Sequence, residues 1–437
     1  MKIAYITAGA AGMFCGSCMH DNTLARAMIA LGHDVALVPL YTPIRTDEAS
    51  VSIDEVFFGG INVYLQQKSA LFRWLPRWMD RWLDQPWLIR WATSYGIQTE
   101  AKMLGELAVS VLQGREGNQQ KEVDRLVSWL ADDLQPEVVL FTNMLVAGSA
   151  PEIKRRLQVP VVVTLQGDDI FLNDLVQPYQ QQALAAIRKL DDTVDAYLVN
   201  SEYYADAMAD FLQLPREKFR IVPLGIDTRE FANTAATSAP TSSVPTIGYL
   251  ARLAPEKGLH LLVDAFLQLK QWPGMEDARL EIAGWLGPQH KAYADEQFQK
   301  LRAAGHGEAF THWGEIDRAQ KLEFLRKIGV LSVPTTYREP KGLFVLEALA
   351  AGVPVVQPAH GAFPELLAAT GGGVLVPPLD AAVLAKALHA LLLDHERRAM
   401  LGQQGRQAVQ QSYHAAAIAE QTLLELKSLV RPRGVPA

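Results

Sequence analysis

Arg338-Glu339-Pro340-Lys341-Gly342-Leu343-Phe344-Val345-Leu346-Glu347-Ala348-Leu349-Ala350-Ala351-Gly352-Val353-Pro354 sets two carboxylates eight positions apart around a proline and a glycine, then runs into an apolar segment and stops. Pro340 disfavours helix for the residue before it, so Glu339 is expected in an extended loop. From Gly342 the apolar residues and alanine pairs predict a buried helix, which places Glu347 on an early turn. Val353–Pro358 then reads as a short strand. Free amides at such a helix start attract phosphate, and the flanking carboxylates accept bonds from hydroxyls. A nucleotide sugar offers both kinds of group.

Outward from this loop, helix and strand the same alternation recurs. Strand-like runs fall at Ile3–Thr7, Asp34–Leu40, Val138–Thr142, Pro160–Leu165 and Ala196–Asn200, then at Thr246–Tyr249, Arg279–Ala283, Val330–Pro334, Val353–Pro358 and Gly373–Val376. Short β-branched runs between helical patterns predict an α/β protein with parallel sheets wound on both faces. Two such series predict two doubly wound domains, each taking ligands beyond the carboxyl ends of its strands. A small-residue polar stretch marks the expected linker, 231–243, between a first domain at 1–230 and a second at 244–409. From about Leu401 to Leu429 a long helical pattern follows, which need not stay with the second domain.

A chain of 437 residues accommodates two or three domains, each with its own core. Its formal net charge of −7 argues against bulk electrostatic binding to nucleic acid. Only Cys15 and Cys18 occur, so no disulfide framework is expected and a reducing cytoplasm suits the chain. Met1–Thr7 is too short an apolar run for a signal peptide and reads as a strand. No apolar run reaches the ~18 residues of a membrane-spanning helix.

Four further segments carry chemistry-bearing residues. Thr7–Asn22 contains Gly9, Gly12 and Gly16 between the first strand and a helix expected near Asp21, where backbone amides can approach a phosphate. Its spacing is not that of a dinucleotide fingerprint, and an ordinary glycine-rich turn is the alternative. Cys15 and Cys18 form a C-x-x-C there with His20 nearby; zinc needs ligands that no second cluster supplies, so small residues lining a loop are the stronger reading. Gly248–Leu259 ends a strand at Arg252 and opens a helix at Lys257-Gly258, a planar fork and a point charge for phosphate oxygens. Val161–Asp169 is a buried strand that ends in Gln166, Asp168 and Asp169; either aspartate can cap the next turn or meet a substrate. Trp74, Trp78 and Trp82 repeat at four-residue spacing beside Arg73, Arg77 and Arg81. That stripe suits peripheral contact with a membrane surface or an acceptor, although packing on the first domain is the commoner cause.

With these residues in order, the whole chain resembles the family 4 type of retaining glycosyltransferases with the GT-B fold. Glu339 and Glu347 with seven residues between them carry the resemblance, followed by Ala348–Val356. Arg252 with Lys257-Gly258, Val222–Asp227, the first glycine-rich loop and Gly361–Leu366 also match. The resemblance implies that Arg252 and Lys257 hold the donor diphosphate and that Glu339 contacts sugar hydroxyls. It further implies that Gly342, Leu343 and Phe344 line the donor site, that Glu347 accepts from the ribose, and that Gly12 to Gly16 close over the donor. The final helix, 410–430, is expected to return to the first domain.

Two departures stand out. Gln166 occupies a place where members often carry histidine; it cannot transfer a proton at neutral pH but can hydrogen-bond a sugar hydroxyl. Lys341 stands where phenylalanine is frequent. The implied reaction moves a sugar from a nucleotide-diphosphate sugar to a glycan or lipid-linked acceptor, with no metal and no cofactor, in polysaccharide biosynthesis. The implied setting is the cytoplasm or the inner face of its membrane. A nucleotide-sugar epimerase of the same fold and a catalytically impaired nucleotide-sugar binder are the alternatives. Base contacts are expected from backbone groups near Trp313 to Ile316.

Overall fold

The computed structural model describes residues 1–9, 16–44, 46, 48–58, 67, 101–233 and 244–430. Gly12, Cys15, the Trp74, Trp78 and Trp82 stripe and most of the expected linker lie outside the described residues. The chain divides into two compact units, Met1–Gly225 with Ala415–Ala437, and Ile226–His414.

In the first unit six strands form one parallel sheet: β1 Lys2–Thr7, β2 Asp34–Pro39, β3 Val138–Phe141, β4 Val161–Thr164, β5 Ala196–Val199 and β6 Phe219–Ile221. Their order is β2-β1-β3-β4-β5-β6. Helices cover both faces, so the strands are apolar on both sides instead of alternating with polar residues. Ala4, Ile6, Val139, Phe141, Val161 and Val163 enter one core. Ile3, Tyr5, Val138, Leu140 and Val162 enter the other, together with Ile418, Ala419 and Leu423 of the last helix. The chain runs from β1 to β2 on one side and to β3 on the other. The strand order therefore reverses between β1 and β3, which is where a doubly wound sheet opens a crevice at its carboxyl edge.

The second unit repeats the plan with β7 Thr246–Leu250, β8 Arg279–Ala283, β9 Phe310–Gly314, β10 Val330–Leu331, β11 Val355–Pro358 and β12 Gly373–Val376. The order β12-β11-β10-β7-β8-β9 reverses between β7 and β10. Leu331 pairs with Gly248 on β7 and with Val355 on β11, so β10 is central although short.

All ten expected runs are strands, and the two-sheet α/β architecture holds. The two strands without a sequence expectation, β6 and β9, are both at sheet edges. Neither is a solid apolar run: Arg220 is exposed in β6, and His312 is exposed in β9. The first helix begins at Gly16, not near Asp21, and runs to Ala30. Asp21 is consequently on its second turn and fully buried. The long terminal pattern is two helices, His395–Ser412 and Ala415–Leu429. They part where the Ile226 amide donates to the carbonyl of Tyr413 at 3.0 Å. Among the described residues no helix is long and apolar enough to cross a membrane.

Candidate functional site

The reversal between β7 and β10 brings two loops together at the carboxyl edge of the second sheet. β7 leads through Arg252 into a short turn, Pro255–Lys257, and then into the helix Leu259–Leu269. Beyond β10 an extended stretch carries Thr335 to Lys341 into the helix Leu343–Ala350. The Thr336 amide donates to the carbonyl of Glu256 at 2.9 Å and ties the loops to each other. The Ala362 amide donates to the carbonyl of Glu339, also at 2.9 Å, and fixes the other side.

Within this frame Lys257 Nζ donates to Glu339 Oε2 at 2.6 Å and to the hydroxyl of Tyr337 at 2.6 Å. The Tyr337 hydroxyl donates to the same carboxylate oxygen. On its other side, Glu339 Oε1 accepts the amides of Lys341 at 3.1 Å and Gly342 at 3.4 Å. The carboxylate therefore serves four donors while only 4% of the residue is exposed. Burial alone raises its pKa, yet the Lys257 ammonium and the bonds from Lys257 and Tyr337 outweigh that and hold it at about 2. Burial, then the Glu339 charge, pushes the Tyr337 phenol well above its ordinary value.

The two glutamates have separate partners. Glu347, on the second turn of Leu343–Ala350, accepts from Lys321 Nζ at 2.8 Å, and both side chains are largely buried. Lys257 also lies 4.8 Å from the ring centroid of Tyr337 and 6.0 Å from that of Phe344. Arg252 is not drawn into this cluster. Its side chain is half exposed, and among the described residues its guanidinium bonds Glu256 at 3.2 Å. The Gly342 amide, expected against the donor, is spent on Glu339. The next amides, of Leu343 and Phe344, find no acceptor among the described residues.

In the first unit Gln166 follows β4, and Gly16 opens the first helix, where an added Cβ would meet nothing within 4 Å among the described residues. Asp168 accepts the amides of Met144 at 2.7 Å and Gln166 at 2.9 Å, and Asp169 accepts the Tyr204 hydroxyl at 2.7 Å. Both aspartates thus brace the loop. Cys18 is buried on the first helix.

Sequence reasoning did not single out Tyr337 or Lys321. Tyr337 lies two residues before Glu339, which in an extended loop puts both side chains on one face. Lys321 belongs to a separate helix, Arg318–Lys327, and left no local signal.

A family model described as Glycosyl transferases group 1 matches residues 233–408, and one described as Glycosyltransferase Family 4 matches 112–230. A phosphatidyl-myo-inositol mannosyltransferase of Mycobacterium leprae is 31% identical over 220 residues, 47% of this chain. The match spans 55% of that relative's length. Among solved structures, a sucrose-phosphate synthase from Thermosynechococcus elongatus superposes with a TM-score of 0.70 at 20% identity, covering 98% of this chain and 99% of that one. Anabaena HepE in complex with UDP-glucose gives 0.65 at 17% identity, covering 98% and 100%.

Proposed function

The chain belongs to the group 1 glycosyl transferases of GT-B fold, and from that premise we propose that it moves a sugar from a nucleotide-diphosphate sugar to a glycan or lipid-linked acceptor, with retention and without a metal ion. The observation that carries the reading is the Lys257, Tyr337 and Glu339 cluster at the strand-order reversal of the second sheet. An ammonium has three N–H groups, and Lys257 spends two of them, which leaves one for a phosphate oxygen. That donor, the amides of Leu343 and Phe344 and the exposed Arg252 offer fixed positive charge to a diphosphate. As the glycosidic bond to phosphate breaks, charge grows on the leaving diphosphate, and donors already in place stabilise it without reorganising.

Glu339 serves four donors and is held ionised by Lys257. It is a positioning carboxylate for the cation and the loop, poorly placed to act as a covalent nucleophile. Retention then proceeds on one face of the sugar, with the leaving phosphate taking the acceptor's proton. Glu347 accepts the ribose hydroxyls with Lys321 as its counter-charge. Lys321→Met is expected to raise the donor KM about tenfold with kcat within about twofold, because the binding lost is the same in the ground state and the transition state. An unchanged KM would remove Glu347 from ribose recognition.

HepE was solved with UDP-glucose, so UDP-glucose is the first donor to try. Thermal shifts with UDP, GDP, ADP and their sugars will rank the nucleotides, since a ligand at a hundredfold excess over its Kd adds about 2.7 kcal/mol of stability. Transfer predicts that adding the acceptor releases free nucleotide from the selected donor. An epimerase would alter the sugar without releasing nucleotide, and a binder would shift stability with no turnover; either result rejects the proposal.

A further inference from the structure

His360 belongs to none of the groupings above, yet it meets the Glu339 loop at that loop's root. β11 ends at Pro358, and the turn that follows reaches the loop twice. His360 Nε2 lies 3.0 Å from the carbonyl oxygen of Thr335, and the Ala362 amide donates to the carbonyl of Glu339 at 2.9 Å. One turn therefore holds the loop at both ends. A carbonyl oxygen only accepts, so the ring must carry its proton on Nε2. Nδ1 keeps a lone pair, and it is buried without a partner among the described residues. A second proton there would be a buried donor with nothing to meet, so the neutral ring is the one that fits. Burial is the largest influence on the His360 pKa and lowers it below its ordinary value; the Thr335 bond and the Glu339 charge oppose that, and the Arg338 charge adds to it.

Thr335 depends on that grip. It is fully buried, and its hydroxyl has no partner among the described residues. Its backbone bonds run to Val333, through the amide at 2.8 Å, and to His360. From Thr335 the chain passes to Thr336, whose amide bonds the turn that carries Lys257, and then to Tyr337 and Glu339, which hold the Lys257 ammonium. Ring contacts repeat the connection. His360 packs edge-on against Phe363 at 6.3 Å, Phe363 meets Phe344 at 6.0 Å, and Lys257 lies 6.0 Å from the Phe344 ring. We propose that His360 is a positioning residue for the transfer: protonated at Nε2, it grips the Thr335 carbonyl and so holds Glu339 and Lys257 where the departing diphosphate gathers charge. The effect on turnover rests on the glycosyltransferase reading, whereas the grip on the loop does not.

Three measurements test it. In 15N-histidine-labelled wild type at neutral pH, the ring signals that vanish in His360→Gln should report a proton on Nε2 and none on Nδ1; a proton on Nδ1 overturns the proposal. The second is hydrogen exchange in His360→Phe, which keeps a ring against Phe363 but has no donor, or in His360→Leu if His360→Phe fails to fold. The Thr336, Lys341 and Gly342 amides, bonded to Glu256 and Glu339, should exchange about tenfold faster or more, because a buried carbonyl is left unpaired. His360→Gln, whose amide NH2 can reach that carbonyl, should bring exchange back to within about threefold of wild type. Unchanged exchange without the donor, or equal loss in both variants, overturns the grip. The third is turnover of UDP-glucose, or of GDP-mannose if UDP-glucose is not used. His360→Phe should lower kcat about tenfold or more with the donor KM within about threefold, and His360→Gln should restore kcat. A normal kcat in a variant whose loop exchange has quickened overturns the link to turnover. A wild type that turns over neither donor counts against the transferase reading, and the first two measurements still decide what His360 does to the loop.

Discussion

Lys257→Ala should lower turnover by ~10²-fold or more and, in the same protein, cost roughly 3–5 kcal/mol of stability. The first effect follows from removing a fixed cation from the charge that develops on the leaving diphosphate. The second follows from what is left behind: Glu339 is 4% exposed and would keep a buried charge with no counter-ion. The two effects come apart in the double variant Lys257→Met with Glu339→Gln, which removes both charges. It should regain most of the stability and none of the turnover. Arg252→Ala gives the opposite contrast, because the Arg252 side chain is half exposed and pairs with a partly exposed Glu256. Its turnover should also fall ~10²-fold, with stability within about 0.5 kcal/mol of the parent. Equal destabilisation by the two single substitutions, read from urea midpoints, would show that Lys257 and Glu339 are not a coupled pair. Near-normal turnover in both would sink the phosphate-clamp assignment.

The same pair sets an acid limit. The Glu339 pKa falls from 4.5 to about 2 on folding, so the folded form binds the proton more weakly than the unfolded chain does. The ion pair therefore contributes fully above about pH 4.5, and its contribution is lost as pH falls towards 2. At 1.36 kcal/mol per unit, the drop is worth about 3 kcal/mol. Glu339→Gln should abolish that part of the acid dependence while leaving the stability at pH 7 lower than in the parent.

Sequence carried the architecture because parallel strands covered on both faces must be apolar throughout, and short β-branched runs such as Val161–Thr164 declare themselves. β9 was not legible because Thr311 and His312 interrupt its pattern; it is held at the sheet edge by pairing with β8. The site was legible where chemistry demands a residue type at a fixed spacing, as with Lys257, Glu339 and Glu347. It was not legible where a partner arrives from another element. Lys321 reaches Glu347 from 26 positions away, and Asp21 meets Gln166 across 145. Nothing local distinguishes a buried Asp21 from a solvated one. Only the start of its helix at Gly16 turns it towards the sheet.

Gly258 shows the limit of motif reading most clearly, and it supports the second large effect. In the sequence it follows Lys257 as a flexible helix start. In the structure it has φ +73°, and a Cβ there would lie 1.8 Å from the carbonyl oxygen of Pro334. That contact is backbone on backbone, so no rotamer relieves it. Gly258→Ala must push apart the turn that carries Lys257 and the loop that carries Glu339, breaking the 2.9 Å bond from Thr336 to Glu256. We expect a loss of about 3 kcal/mol or more in stability and at least ~10-fold in turnover with Lys257 itself intact, since the cation is displaced from the charge it must meet. Gly305→Ala supplies the control. Gly305 has φ +80°, yet an added Cβ there meets nothing within 4 Å. It carries the left-handed penalty of about 1–2 kcal/mol alone. The excess cost at Gly258 over Gly305, measured by urea unfolding, isolates the close approach of the two loops. If the two substitutions cost the same, the glycine is there only for its backbone angle, and the juxtaposition of Lys257 with Glu339 must be maintained by other contacts.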